Sequence, residues 1–311
     1  MRRRFVPGYG FGILLGIAAA ICWSLGGVLV RLTDGIDSWQ IIFYRSFTAL
    51  VLMTGWMALT HGRRLFAVIR HAGLNAVVAG IAIGLAGLCF VLSLFYTTVA
   101  QSIFMSGIAP FCAALLAWWL LGERIGWATI GAMTVALIGL GIMVAGSLGS
   151  TSFVGTLLAL YSAFCFACYS VLLRYGQQTD MTAALIWNGI FLCVTCLVVL
   201  LVPTPLRDSF GPGEILVGWT NYMWVTLMGA VQLTLGLVLF TLASRSVPAA
   251  QLTLLALIEP TLGPIWVFLA VNEVPPVSTL VGGVVVMSAI VIQVLATSGR
   301  RVLALPDRRV A

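Results

Sequence analysis

The chain has no lysine, and only 8% of its 311 residues are charged. A water-soluble domain carries roughly 25% charged residues, so the composition excludes one. All sixteen basic residues are arginine and give a net charge of +7. No basic stretch is interleaved with aromatics, so nucleic acid is not an expected partner. Histidine is nearly absent: His61 and His71 share one basic connection, and no apolar run contains a His. The seven Cys all lie in apolar runs. Cys165-Phe-Ala-Cys168 and Cys193-Val-Thr-Cys196 imitate zinc-ligand spacing, but without His they read as small apolar residues on helices. The chain also lacks a Gly-rich phosphate loop of the Walker kind, which argues against direct use of ATP. Neither a metal nor a cofactor is expected.

What the chain has is apolar length: 61% of its residues are hydrophobic. Ten apolar segments fall at 11–31, 38–60, 74–96, 98–121, 125–146, 154–174, 183–203, 219–243, 248–271 and 277–297. About 20 residues span the ~30 Å of bilayer hydrocarbon. The longest connections are 61–73 and 204–218, leaving no room for a soluble domain. Arg2–Arg4 before the first run could open a signal peptide, but that run has an internal copy and reads as a retained helix. With the N-terminus inside, thirteen Arg fall in inside segments and only Arg31 and Arg207 in outside loops. That bias places both termini in the cytoplasm. The expectation is an all-α membrane protein, multi-pass, in a bacterial inner membrane.

The chain is also written twice. Gly12–Arg31 matches Gly155–Arg174 at an offset of 143, with eight identities in twenty, including Gly12/Gly155, Cys22/Cys165 and Arg31/Arg174. Further on the offset is 150: Gln101, Pro110 and Glu123 fall on Gln251, Pro260 and Glu273. Residues 11–146 and 154–297 are therefore two five-helix units, followed by a short basic tail at 298–311. Five is odd, so the second unit enters the membrane from the opposite side. Inverted repeats of this kind place a binding site at their interface near the midplane.

Tyr96-Thr-Thr-Val-Ala-Gln101, Ala109-Pro110 and Ala113-Ala-Leu-Leu-Ala-Trp-Trp-Leu-Leu-Gly-Glu123 resemble the EamA-type transporters of the drug/metabolite transporter superfamily. Val247-Pro-Ala-Ala250, Ile258-Glu-Pro260 and Asn272-Glu273 are similar to the same pattern, with Asn272 where Gly is usual. The resemblance covers nearly the whole chain. It implies ten helices in two inverted halves around a central cavity, and transport of small metabolites.

Candidate residues follow from cost. Glu259 lies about twelve residues from either end of its apolar run, ~18 Å deep at 1.5 Å per residue. A carboxylate there must face the interior or be protonated, and it could carry a proton or merely bond a neighbouring helix. Arg45, some six residues into the second segment, could capture a substrate carboxylate or snorkel to the surface. Pro110, Pro260 and Pro264 remove backbone donors inside apolar segments, marking helix breaks or hinges that line a cavity. Gln101, Ser102, Ser106, Gln232, Thr234 and Gln251 can bond between helices or touch substrate. Trp23, Tyr96, Tyr161, Tyr169 and Trp187 are candidate cavity aromatics. Glu123 and Glu273 end their helices as solvated caps or interface locks. Gly131, Gly139 and Gly141 suit close helix packing or a homodimer contact.

A secondary transporter of a small polar or amphipathic metabolite, exporting or importing by alternating access and coupled to protons through Glu259, is the reading these residues favour. Its partners are a small-molecule substrate, the lipid bilayer and the proton. A channel or a non-transporting membrane subunit is the alternative. An intramembrane enzyme needs paired acids or a nucleophile with its base, and Glu259 is the single deep acid.

Overall fold

The structure is a computed structural model that describes residues 8–33, 36, 38–145, 152–201, 218–272 and 274–303. Among the described residues the chain is helical, with no strand. In hydrocarbon each backbone N–H and C=O needs a partner, and a helix supplies all of them within one segment. The elements are α1 (Tyr9–Ser24), α2 (Gly26–Arg31), α3 (Ser38–His61), a 3₁₀ turn (Gly62–Arg64), α4 (Leu65–Tyr96), α5 (Val99–Ser106), α6 (Ala109–Leu121), α7 (Trp127–Val144) and α8 (Phe153–Tyr175). They continue as α9 (Ala183–Leu201), α10 (Trp219–Leu227), a π-helical segment (Met228–Leu235), α11 (Gly236–Ala243), α12 (Ala249–Ala256), α13 (Ile258–Val271) and α14 (Val277–Leu303).

Among the described residues, eight continuous helical stretches are long and apolar enough to cross a membrane. One of them, Trp39–Leu94, has 56 residues and contains the 3₁₀ turn and Gly73, whose φ of 66° only glycine adopts cheaply. A further apolar helix, Ala183–Val199, is shorter. The chain is thus an integral, multi-pass membrane protein. Many of its exposed side chains are large and apolar or aromatic, as a lipid-facing surface requires; Trp118, Trp119, Trp127 and Trp219 stand at helix ends, where indoles prefer the headgroup level. α14 continues as helix through Leu303, into the stretch expected to be a tail; Glu273, Arg207 and the last residues of that tail lie outside the described residues.

Inside, the helices meet at small residues. A Cβ on Gly80 would stand 2.6 Å from Trp187 Cβ and 2.9 Å from the Asn188 nitrogen, so α4 and α9 touch backbone to backbone. Gly139 of α7 and Gly282 of α14 face each other in the same way, so Gly139 packs within the chain. Lipid tails give helices no hydrophobic reason to associate, and close approach of this kind supplies the van der Waals contact instead. Buried hydroxyls add hydrogen bonds: Ser162 donates to the Ala86 carbonyl at 2.7 Å, and Ser93 and Ser102 pair at 2.8 Å.

Four apolar stretches are irregular in mid-course. α1 gives way to α2 at Leu25, α5 to α6 at Gly107–Ile108, and α12 to α13 at Leu257. Between α10 and α11 the backbone widens to the π form, and the Thr234 hydroxyl donates to the Gly229 carbonyl five residues back at 2.7 Å. The α5–α6 and α12–α13 breaks are tightened by bonds three residues back, Ile108 N to Met105 O and Leu257 N to Leu254 O, both 3.1 Å. Each comes two or three residues before a proline. Pro110 and Pro260 therefore stand in the first turn of a restarted helix, where the missing N–H costs nothing; only Pro264 is interior to its helix. The far ends of α6 and α13 agree as well. Gly122 caps α6 with φ 65° and Asn272 caps α13 with φ 56°. Asn is the residue besides Gly that best tolerates this left-handed position, which accounts for Asn272 standing where Gly is usual.

Candidate functional site

The irregular stretches converge. α2 and α1 pack on α13 and on the π segment, and α3 packs on the π segment. At this junction Glu259 occupies the first turn of α13, where the unpaired N–H groups and the helix dipole favour a negative charge. Arg45 reaches the same region from α3. The two lie close enough to feel each other's charge, yet they form no ion pair within 4.0 Å. Arg45 Nε is buried without a hydrogen-bond partner. The Arg45 carbonyl lies against Gly229, so the π segment and α3 pack backbone on backbone.

Around this pair stand other unsatisfied polar atoms. Gln232 Oε1, projected from the π segment, is buried without a partner, and its amide abuts Gly26 at the α1–α2 break. Trp187 Nε1 and Asn188 Oδ1 on α9 are also buried and unpartnered. Each such group is costly in a dry interior. A cavity of about 10 Å³ lies among Ala49, Met53, Leu185, Asn188, Leu233, Thr234 and Leu237, close to the volume of a single water. The centre is closed down on polar atoms that lack partners.

An aromatic cluster forms one wall. Trp23 packs edge-on to Phe166 at 5.8 Å and against Phe240 at 5.1 Å, while Tyr169 stacks on Phe240 at 5.9 Å and shares a hydrogen bond with Thr241 at 3.1 Å. On the far side, Trp266 Nε1 donates to Ser24 Oγ at 2.8 Å, tying α13 to the end of α1.

The sequence candidates thus divide. Glu259, Arg45, Gln232, Thr234 and Trp23 lie on the elements that meet at the junction, Tyr169 lies in the aromatic wall, and Trp187 packs against Gly80 of α4. Gln251 lies elsewhere: it accepts from Tyr9 Oη at 2.8 Å near the opposite end of the ninth apolar run. Gln101 sits in the first turn of α5 behind its cap, Thr98. The Ser106 hydroxyl is spent on the Ile103 carbonyl at 2.6 Å. Tyr96 and Tyr161 are exposed on the outer surface, 44% and 48%. Sequence reasoning missed Phe166, Phe240 and Asn188.

The arginine-bearing end of the bundle is tied by ions. Arg174 Nε meets Glu123 Oε1 at 2.6 Å, and Arg174 Nη1 donates to the carbonyls of Ser244 and Arg245, each at 3.2 Å. One guanidinium thereby joins the ends of α6, α8 and α11. Beside it Asp180 stands 3.7 Å from both Arg245 and His61. Among the described residues no group of His, Cys, Asp and Glu could hold a metal ion.

Broken helices meeting at buried polar groups suit a membrane transporter. The chain belongs to the EamA-like transporter family, whose pattern matches it twice, over residues 10–145 and 153–295. It is similar to the pseudopaline exporter CntI of Pseudomonas aeruginosa, 24% identical to the protein of strain PAO1 and 25% to that of strain UCBPP-PA14. Each match spans 287 residues, 89% of this chain and 94% of the relative. A solved crystal structure, 19% identical, superposes with a TM-score of 0.74 over 94% of this chain and 99% of its own, which is a likeness of fold.

Proposed function

We propose that this protein is a secondary transporter that moves a small polar or amphipathic metabolite by alternating access. It crosses a bacterial inner membrane ten times as two inverted five-helix repeats, with both termini in the cytoplasm. Three observations support that architecture: the family pattern matches twice, the helix breaks at Pro110 and Pro260 correspond through the offset of 150, and the ion cluster lies at the arginine-bearing end. The observation that carries the function is Glu259 in the first turn of a helix restarted deep in the bilayer, within electrostatic reach of Arg45 but unpaired with it. Two unpaired opposite charges held apart at depth suit a polar guest that completes both. Protonation of Glu259 offers a second way to neutralise it, and hence coupling to a proton gradient. Export is favoured because the curated relatives are named exporters.

The test uses purified protein in liposomes, with a solute first selected by thermal-shift screening of small metabolites, since a ligand stabilises the folded state by mass action. Saturable counterflow is expected of a carrier. Glu259→Gln should retain counterflow and lose its response to an imposed pH gradient. An unchanged gradient response removes Glu259 from coupling, and flux without saturation removes the carrier reading.

A further inference from the structure

A second, roomier cavity lies away from the central junction. It has a volume of about 210 Å³ and lies at the arginine-bearing end, lined by Ala117, Glu123, Arg124, Thr129, Arg174 and Gln251, with neighbouring backbone. Its wall contains the ion pair that ties α6 to α8. Both partners are only partly exposed, Glu123 at 21% and Arg174 at 18%. Arg124 is exposed beside them, with no ion pair of its own. Gln251 and Thr129 close the inner side, joined by a long contact from Gln251 Nε2 to Thr129 Oγ1 of 3.5 Å.

We propose that this cavity is a binding site for a small zwitterion, which inserts into the Glu123–Arg174 pair and so unlocks this end of the transporter. The argument is charge conservation. Pulling the pair apart leaves a carboxylate and a guanidinium, both partly desolvated, without partners, and breaking such a pair is expensive. A guest that carries an ammonium and a carboxylate satisfies both: its ammonium takes Glu123, and its carboxylate takes Arg174 with Arg124 beside it. An anion alone leaves Glu123 unpaired, and a cation alone leaves Arg174 unpaired. The site therefore selects for opposite charges on one small molecule. The volume is below the ~300 Å³ at which drug-sized pockets begin, so the guest is small. Arg174 also holds the carbonyls of Ser244 and Arg245, so its turn towards a guest frees the end of α11 in the same movement. The inference rests on the transport reading for its purpose, but its binding chemistry is independent of it.

The probes are leucine, 4-methylvalerate, which keeps the carboxylate alone, and isopentylamine, which keeps the amine alone. Hydrogen exchange of the full-length protein in detergent is followed by mass spectrometry over residues 121–126 and 244–248. Leucine at millimolar concentration should speed exchange in both segments at least fivefold, and the two single-charge probes should leave it unchanged. Arg124→Gln should raise the leucine concentration needed about tenfold, and Arg124→Lys should restore it. Equal responses to all three probes, or none to leucine, overturn the proposal. If leucine is without effect while liposomes show counterflow of another solute, this site fails and the transport reading stands. If leucine unlocks the segments but no solute shows counterflow, the reverse holds.

Discussion

The ion pair at the arginine-bearing end offers a direct measure of how firmly the molecule is held closed. Glu123→Gln keeps a carbonyl oxygen that can still accept from Arg174 Nε, so it removes the charge but not the hydrogen bond. Arg174→Gln removes the charge and also the two bonds to the Ser244 and Arg245 carbonyls. A fully exposed pair is worth about 0.2–1 kcal/mol, whereas breaking a buried one costs about 3–5 kcal/mol. Partial exposure of both groups and a 2.6 Å charge-assisted contact place this pair between those limits. We expect Glu123→Gln to cost about 1–2 kcal/mol and Arg174→Gln about 3 kcal/mol of closed-state stability. A loss of one to two kcal/mol is a factor of about 5–30 in the closed-to-open ratio. Hydrogen exchange across residues 244–248, without ligand, should rise by that factor in Glu123→Gln and further in Arg174→Gln. The double variant should fall short of the sum, with a coupling of about 1 kcal/mol between the two sites. Raised salt should narrow the difference between wild type and Glu123→Gln, since a partly exposed pair is screened. If Glu123→Gln changes exchange less than twofold while Arg174→Gln changes it strongly, the carbonyl bonds hold this end and the charge pairing does not.

The packing makes a prediction about stability alone. Gly80→Ala drives a methyl into the α9 backbone beside Ala184 and should cost about 1–3 kcal/mol, as overpacking does. Gly87→Ala on the same helix meets nothing within 4 Å and should be neutral or gain up to about 1 kcal/mol from helix propensity. Thermal unfolding in detergent should order the three proteins as Gly87→Ala at or above wild type, and Gly80→Ala below it. The opposite order would show that the α4–α9 contact is looser than the packing described.

The membrane class was legible because it depends on composition and apolar run length; the ten expected segments return, among the described residues, as eight helical stretches long enough to span, since Trp39–Leu94 runs two together and Ala183–Val199 is shorter. Glu259 stood out in the sequence because a carboxylate in the middle of an apolar run is costly. The breaks were half legible. Pro110 and Pro260 announced them, but a sequence cannot say whether a proline kinks a helix or begins a new one, because that depends on where the preceding carbonyls find partners. The π segment has no proline to mark it. Within it the Thr234 hydroxyl takes the Gly229 carbonyl, and only the backbone path reveals that a threonine and a glycine five apart do this. Tyr96 and Tyr161 misled because aromatic rings at membrane depth serve lipid contact and cavity walls equally well, and facing is set by how the bundle packs. Glu123 shows the converse. As a helix-ending acid it looked ordinary, and its partner Arg174 is 51 residues away, beyond any local pattern.

The offsets that pair Gly12 with Gly155 and Pro110 with Pro260 also pair Arg174 with Arg31 and Glu123 with Glu273. The contacts of the glycines follow the same relation: Gly155 packs on Thr97 and Gly12 on Val247, residues themselves 150 apart. If the halves exchanged roles without loss, an inverted repeat would open to either side at equal cost. Two charges break that equality, because Arg45 has Asn188 as its mate and Glu259 has Ala109. Under the proposed alternating access, the end charges set the balance between open states against this asymmetry at the centre. Glu273 lies outside the described residues, so its role is argued from its mate. Glu273→Gln should act in the opposite sense to Glu123→Gln, slowing exchange across residues 244–248 where Glu123→Gln speeds it. The two changes combined should largely cancel. Exchange in that segment that rises with Glu273→Gln would mean that the ends are not coupled through one rocking motion, and that the repeat is a record of ancestry rather than of mechanism.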